Sequence, residues 1–172
     1  MTMRVEAFRL AGEKIGADRG GDRCITVRNP FTGQAVGSVP KATLAEVQHA
    51  LQVARDYKPR LSRFDRANIL NQAAAAVRTR TAALITAESG LCLKDSTYEA
   101  GRVADVLMFG ANECLKDDGQ SYSCDITPHG RQRRVHTLRE PLLGVIPALP
   151  PFNHPLSQVA PSLGPAAATH NR

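Results

Sequence analysis

The stretch that most constrains the fold is LLGVIPAL, residues 142–149. It is apolar at nearly every position. A strand that alternates apolar and polar residues buries one face, whereas a continuous apolar run buries both, as strands inside a parallel sheet do. Parallel strands are joined by long crossovers, usually helices, so such a strand implies helices packed on its sheet. The expected class is therefore α/β, with 142–149 as the first parallel strand of a sheet, ending near Leu149. The run passes directly into PPFNHP, where Asn153 and His154 sit between prolines. A polar pair held rigidly at the carboxyl end of a buried strand stands where open α/β sheets bind ligands.

The preceding sequence supplies the other elements. Residues 24–39 read as a β-hairpin, with CITVR and AVGSV as strands and Asn29-Pro30 then Thr32-Gly33 as turn chemistry. Thr43 and Glu46 form a capping box ahead of Leu44, Val47, Leu51 and Ala54 at helical spacing, and Lys58-Pro59 ends that helix. A second helix starts near Ser62, with Ala67, Leu70, Ala74 and Val77 as its buried face. TAALIT continues it or forms a third helix, stopped by Gly90. A longer helix spans about Lys94 to Leu115, with Val103, Val106, Leu107 and Ala111 on its apolar side. Residues 117–134 are polar and turn-rich, RRVHTLRE alternates as a strand, and a helix is expected after Pro155. Pro161 falls inside that helix, where an interior proline costs about 3 kcal/mol.

Composition narrows the function classes. Aromatic residues make up 5% and tryptophan is absent, so the core rests on Ala, Val, Leu and Ile. The net charge of +6 is spread along the chain, apart from RQRR at 131–134, which argues against a nucleic-acid footprint. Charged residues interrupt the N-terminus where a signal peptide needs an apolar core, and no run reaches membrane-spanning length. The four cysteines form no CxxC pair, so free thiols, no metal site and a cytoplasmic protein are expected.

Four segments together resemble the N-terminal part of the aldehyde dehydrogenase superfamily: NPFTGQAVGSVPKAT (29–43), AESG (87–90), REPLLGVI (139–146) and PFNHP (151–155). The resemblance covers nearly the whole chain from Ile25 onward. Within the superfamily the sequence is most similar to phosphonoacetaldehyde dehydrogenases, through ITAESGLCLKDSTYEAGRVADVL, DDGQSYSCDITPHGRQRRVHTLREPLLGVI and Asn-His-Pro in place of the commoner Asn-Phe-Pro. The resemblance implies the N-terminal part of that fold, truncated. Residues 1–23 would be an N-terminal extension and 24–116 the hairpin and helical part of a cofactor-binding domain. Residues 117–140 would be a loop and strand of oligomerisation type. Residues 141–172 would be the first strand and helix of the dinucleotide-binding sheet, cut short.

The family reaction passes through a thiolate adduct whose oxyanion is held while hydride leaves for NAD or NADP. The resemblance assigns Asn153 as an oxyanion donor, with Leu149, Pro150, Pro151 and Phe152 walling the cofactor. Read from the residues alone, Asn153 is also a good cap for the following helix. His154 and Arg102 are assigned to the anionic tail of a small aldehyde such as phosphonoacetaldehyde; each is otherwise an ordinary exposed residue. Arg131, Arg133 and Arg134 fall on a solvated or intersubunit face, and a homo-oligomer is expected when the enzyme is complete.

The nucleophilic cysteine and the general-base glutamate of the family match no position here; Cys92 and Glu88 lie in helical N-terminal segments far from those sites. A second reading, a small basic α/β binding module without catalysis, stands beside the enzymatic one. A polypeptide of residues 1–172 is expected to form no reduced nicotinamide from phosphonoacetaldehyde and NAD when absorbance is followed. Turnover that Cys92→Ala abolishes would overturn that expectation.

Overall fold

The computed structural model describes residues 4–58, 60–116, 119–138 and 144–171. The chain opens with three short strands, β1 (Arg4–Val5), β2 (Phe8–Leu10) and β3 (Glu13–Ile15), of which β2 and β3 pair antiparallel. The predicted hairpin follows as β4 (Cys24–Arg28) and β5 (Ala35–Pro40), with a register shift at Val27/Arg28. β1 adds in parallel to β5, so the sheet runs β1-β5-β4. The turn is closed by Asn29, whose Oδ1 accepts the amides of Phe31 (3.0 Å) and Thr32 (2.9 Å). Its Nδ2 donates to the Ala87 carbonyl at 2.9 Å and so ties the hairpin to the helices.

The predicted capping box forms at the first helix, and a second one forms at Ser62, where the next helix is expected to start. Thr43 and Glu46 start α1 (Leu44–Asp56), and Ser62 and Asp65 start α2 (Arg63–Arg80). Glu46 also pairs with Arg19, which with the Thr43 amide holds its carboxyl down to about 2. The apolar row of α1 does not enter a core: Leu44, Val47 and Leu51 are exposed. The helix instead turns Ala50, Val53 and Ala54 towards Leu10 of the β2–β3 hairpin.

The core is a helix pair. In α2 the buried residues include Ala67, Leu70 and Ala74, as the spacing predicts. α3 (Ala82–Ser89) ends at Gly90, and α4 (Leu93–Cys114) lies along α2 with Val103, Ala104, Leu107 and Ala111 buried between them. Small residues dominate this seam, so the two backbones approach closely. α4 also receives α5 (Ala160–Ala168). At that crossing Gly110 faces Gly164: a Cβ on Gly110 would lie 3.4 Å from the Gly164 carbonyl oxygen, in van der Waals contact. A third small sheet, β6 (Ser121–Ser123) paired antiparallel with β7 (Arg134–His136), projects with all three β7 residues exposed.

Two sequence expectations are corrected. Residues 144–149 are not a strand, and Leu149 is 94% exposed. A buried parallel strand exists only beside a partner, and none of the described strands lies next to this segment; residues 139–143 lie outside the described residues. The last helix starts at Ala160 rather than after Pro155, which puts Pro161 in the first turn. There its missing N–H has no intrahelical partner to lose, and the interior proline is Pro165 instead. Among the described residues no helix is long and apolar enough to cross a membrane.

Gly90 is the tightest requirement of the frame. Its φ is +76°, and a Cβ there would lie 2.6 Å from Pro30 Cγ in the hairpin turn. Gly90→Ala is expected to destabilise the chain by about 1–2 kcal/mol from the left-handed conformation alone. The check is a lower midpoint in urea with an unchanged slope.

Candidate functional site

The hairpin turn, the end of α3 and the segment before α5 converge on a cleft of about 670 Å³. Val27 and Pro30 form one wall, Glu88, Ser89 and Leu91 a second, and residues 152–155 the third. Each wall has a local cause. Asn29 folds the turn and bonds Ala87, one residue before Glu88. Gly90 stops α3 so that Ser89 and Leu91 face the turn.

The third wall is an elbow. His154 has φ +51°, the left-handed region that costs a non-glycine residue about 1–2 kcal/mol. Pro155 follows it, and the chain then makes a turn in which the His154 carbonyl accepts the Gln158 amide at 3.3 Å. That turn is held from below by α4. Glu99, only 2% exposed, accepts the amides of Leu156 (2.8 Å) and Ser157 (2.9 Å) on Oε1. Its Oε2 is buried without a hydrogen bond, and the His154 Nδ1 lies 3.4 Å from it. A buried carboxylate is costly unless its oxygens are paired, so this arrangement ties two backbone amides and one imidazole to one side chain.

Of the two readings of Asn153, the structure bears on the helix cap. The helix-cap reading is wrong: Glu99 takes the amides a cap would take, and Val159, at the N-cap of α5, makes no side-chain cap bond. Asn153 is exposed on the cleft wall, and among the described residues nothing bonds its amide. An amide with a fixed backbone and free N–H donors can stabilise negative charge as it develops on a bound molecule.

The other sequence candidates divide. His154 and Phe152 line the cleft beside Asn153. Leu149, Pro150 and Pro151 are exposed and are not among its walls. Arg102 is exposed on α4 with its guanidinium 5.9 Å from the Tyr98 ring centroid, also outside the walls. Cys92 is exposed at the N-cap of α4, and Arg131, Arg133 and Arg134 are exposed.

Glu99 is the residue that sequence reasoning misses, although a signal exists. Counting back by fours from the apolar positions Ala111, Leu107 and Val103 lands on position 99. A glutamate on the core stripe of a helix is the informative exception to burial rules. Glu88 was set aside as a base, yet it faces the cleft, where burial and then the nearby Glu99 push its carboxyl above the ordinary value of 4.5.

A family model, the aldehyde dehydrogenase family, matches residues 17–172. Aspartate-semialdehyde dehydrogenase 1 of Pseudomonas canavaninivorans is 37% identical over 153 residues, 86% of this chain and 32% of its own length. The 3-sulfolactaldehyde dehydrogenase of Priestia megaterium is 31% identical over 149 residues, 84% of this chain and 31% of its own. Among solved structures, aldehyde dehydrogenase 21 of Physcomitrella patens, in complex with the reaction product succinate, superposes with a TM-score of 0.85 at 26% identity. That match covers 98% of this chain and 36% of the other. The NADP-dependent glyceraldehyde-3-phosphate dehydrogenase of Bacillus halodurans, complexed with NADP, gives 0.76 at 28% identity over 96% of this chain and 36% of its own. The chain thus spans about a third of the length of the relatives it matches.

The raised Glu88 carboxyl gives a signed expectation. The folded state holds its proton better than the unfolded chain, so its contribution to stability is complete below 4.5 and is lost as pH rises through the raised value. Glu88→Gln is therefore expected to raise the melting temperature at neutral pH, with the gain vanishing in acid below 4.5. Melting curves across that range check it.

Proposed function

The chain belongs to the aldehyde dehydrogenase family, and from that premise we propose that it forms part of an enzyme that oxidises a small anionic aldehyde, such as phosphonoacetaldehyde, to the carboxylic acid. The observation that carries this reading is the Asn153 amide, free at the cleft wall while Glu99 does the work of a cap. When a nucleophile adds to an aldehyde carbon, charge moves to the oxygen. An N–H donor already pointing at that oxygen stabilises the charge without reorganising. Pro150, Pro151 and Pro155 restrict the backbone on both sides, and the Glu99 clamp fixes the turn beyond. Those features keep Asn153 from having to move.

A nicotinamide cofactor supplies the hydride acceptor when bound. The residues leading to the cleft fit such a group: Leu149 and Phe152 are 94% and 90% exposed and offer apolar surface for one face of a flat ring. Leu149, Pro150, Pro151 and Phe152 accordingly form the cofactor side and Asn153 the reacting side. Relatives and neighbours include both NAD- and NADP-dependent enzymes, so the reading specifies a nicotinamide dinucleotide. His154 takes the anionic tail, with Arg102, exposed on α4 outside the walls, as a second contact. The named substrates of two matched relatives, aspartate semialdehyde and 3-sulfolactaldehyde, carry anionic groups and support that choice.

The test is a chimera in which residues 1–172 replace the matching segment of aspartate-semialdehyde dehydrogenase 1. Asn153→Ala is expected to lower kcat by about 10²–10³, the usual cost of one oxyanion donor, with KM little changed. Arg102→Ala is expected to raise KM for phosphonoacetaldehyde about tenfold, one charge-assisted contact, and to leave an uncharged aldehyde of similar size unaffected. Equal losses on both substrates remove Arg102 from the tail site, and an Asn153→Ala variant with unchanged kcat removes the oxyanion role.

A further inference from the structure

We propose that Arg66 is the seat of a small oxyanion, a carboxylate or a phosphate, in a second cleft away from Asn153. The proposal does not depend on the aldehyde reading. This cleft, of about 280 Å³, lies between the start of α2 and the end of α5. Leu61, Ile69, Leu70 and Ala167 are its apolar walls, and Arg66 and His170 are polar groups among them. Arg66 is 8% exposed, so its guanidinium has lost most of its water. A buried cation is costly unless an anion meets it. Among the described residues no carboxylate does. Asp65, its neighbour in the chain, is committed to the Ser62 amide and hydroxyl. Asp56 is committed to Gln52 and Arg55, and Glu113 to Lys116.

The guanidinium is only half used. Nη1 donates to the Leu61 carbonyl at 3.0 Å and lies against His170 Nε2. Nε is buried with no acceptor. Nη2 has no hydrogen bond among the described residues and is not shut off as Nε is. Nε and Nη2 together make the edge of the fork that a carboxylate or phosphate takes with two parallel bonds. His170 gives a second, independent sign. Its φ is +65°, a conformation that few residues other than glycine adopt. Its Nε2 lies 2.7 Å from the Leu61 carbonyl as well as against Arg66 Nη1. One ring nitrogen does not donate to a carbonyl and accept from a guanidinium at once. An oxyanion on the free edge draws the guanidinium outward and leaves Nε2 to donate to Leu61. The apolar walls keep water from screening the new pair.

The probes are inorganic phosphate and acetate, each compared with chloride at the same ionic strength, added to the chain of residues 1–172. The Nε–H resonance of Arg66, assigned through its own side-chain carbons, is expected to move and saturate with at least one oxyanion and to stay in place in chloride. Saturation with phosphate alone marks a phosphate seat and with acetate alone a carboxylate seat; either upholds the proposal. No saturable movement with either oxyanion, or the same movement in chloride, overturns it. This titration needs no variant, so it decides even where a substitution disturbs folding. Two variants then locate the contact, read by the rise in melting temperature with oxyanion concentration. Arg66→Lys keeps a charge but loses the fork and is expected to weaken binding about tenfold; unchanged affinity refutes the fork. His170→Ala leaves the free edge intact and is expected to keep the response. Its loss there would show that the imidazole, not Arg66, holds the anion, and would overturn the assignment.

Discussion

The architecture around the cleft depends on one buried carboxylate. Glu99 projects from the second turn of α4, on its core face, and accepts two amides of a segment 57 and 58 residues away in sequence. Besides that contact, the elbow is joined to the helices by the Leu156 carbonyl, which accepts the Ala160 amide at 3.2 Å, and by the packing of Leu156 against the core. Hydrogen bonds to an ionised group are worth about 1.5–3 kcal/mol, more than neutral ones. A single side chain thereby does what a helix cap does in an ordinary loop, but from another element. The next helix is left to begin at Ala160, and Asn153 is left free.

The opposite side of the cleft follows the same logic with backbone in place of charge. The Asn29 side chain closes its own turn with two amides and reaches the Ala87 carbonyl with its remaining donor. Gly90 then brings the chain against Pro30 at a distance no other residue allows. Thr86 donates to Ser96 at 2.8 Å, one turn before Glu99 on α4, so the two walls share a helix pair as foundation. A rigid support of this kind is what a preorganised donor needs, since its value lies in not moving.

What the sequence could disclose depended on how local the cause was. The starts of α1 and α2 are written in four residues each, and the stop at Gly90 in one; the structure reproduces all three. The buried faces of α2 and α4 follow from spacing because the two helices supply each other's cover. The apolar row of α1 follows the same spacing and stays exposed, because periodicity says which residues share a face and not whether anything meets it. Residues 144–149 have a strand's composition, but a strand is a relation to a neighbour. Asn153 and His154 were legible through resemblance and through their prolines. Glu99, Glu88 and the hairpin wall were not, since the cleft joins residues that only the fold brings near.

That last property has a consequence for how the molecule assembles. The capping boxes and the α2–α4 seam involve contacts close in sequence and can form early. The cleft requires closing two long loops, from Asn29 to Ala87 and from Glu99 to Leu156 and Ser157. Each closure has an entropy that grows with loop length and must be met before the contact forms. The cleft is thus the late-folding part of the chain, and by the same reasoning the first to open in partial unfolding. Loss of binding geometry on heating would precede loss of helix, so the melting of the helices overstates the range over which the site exists.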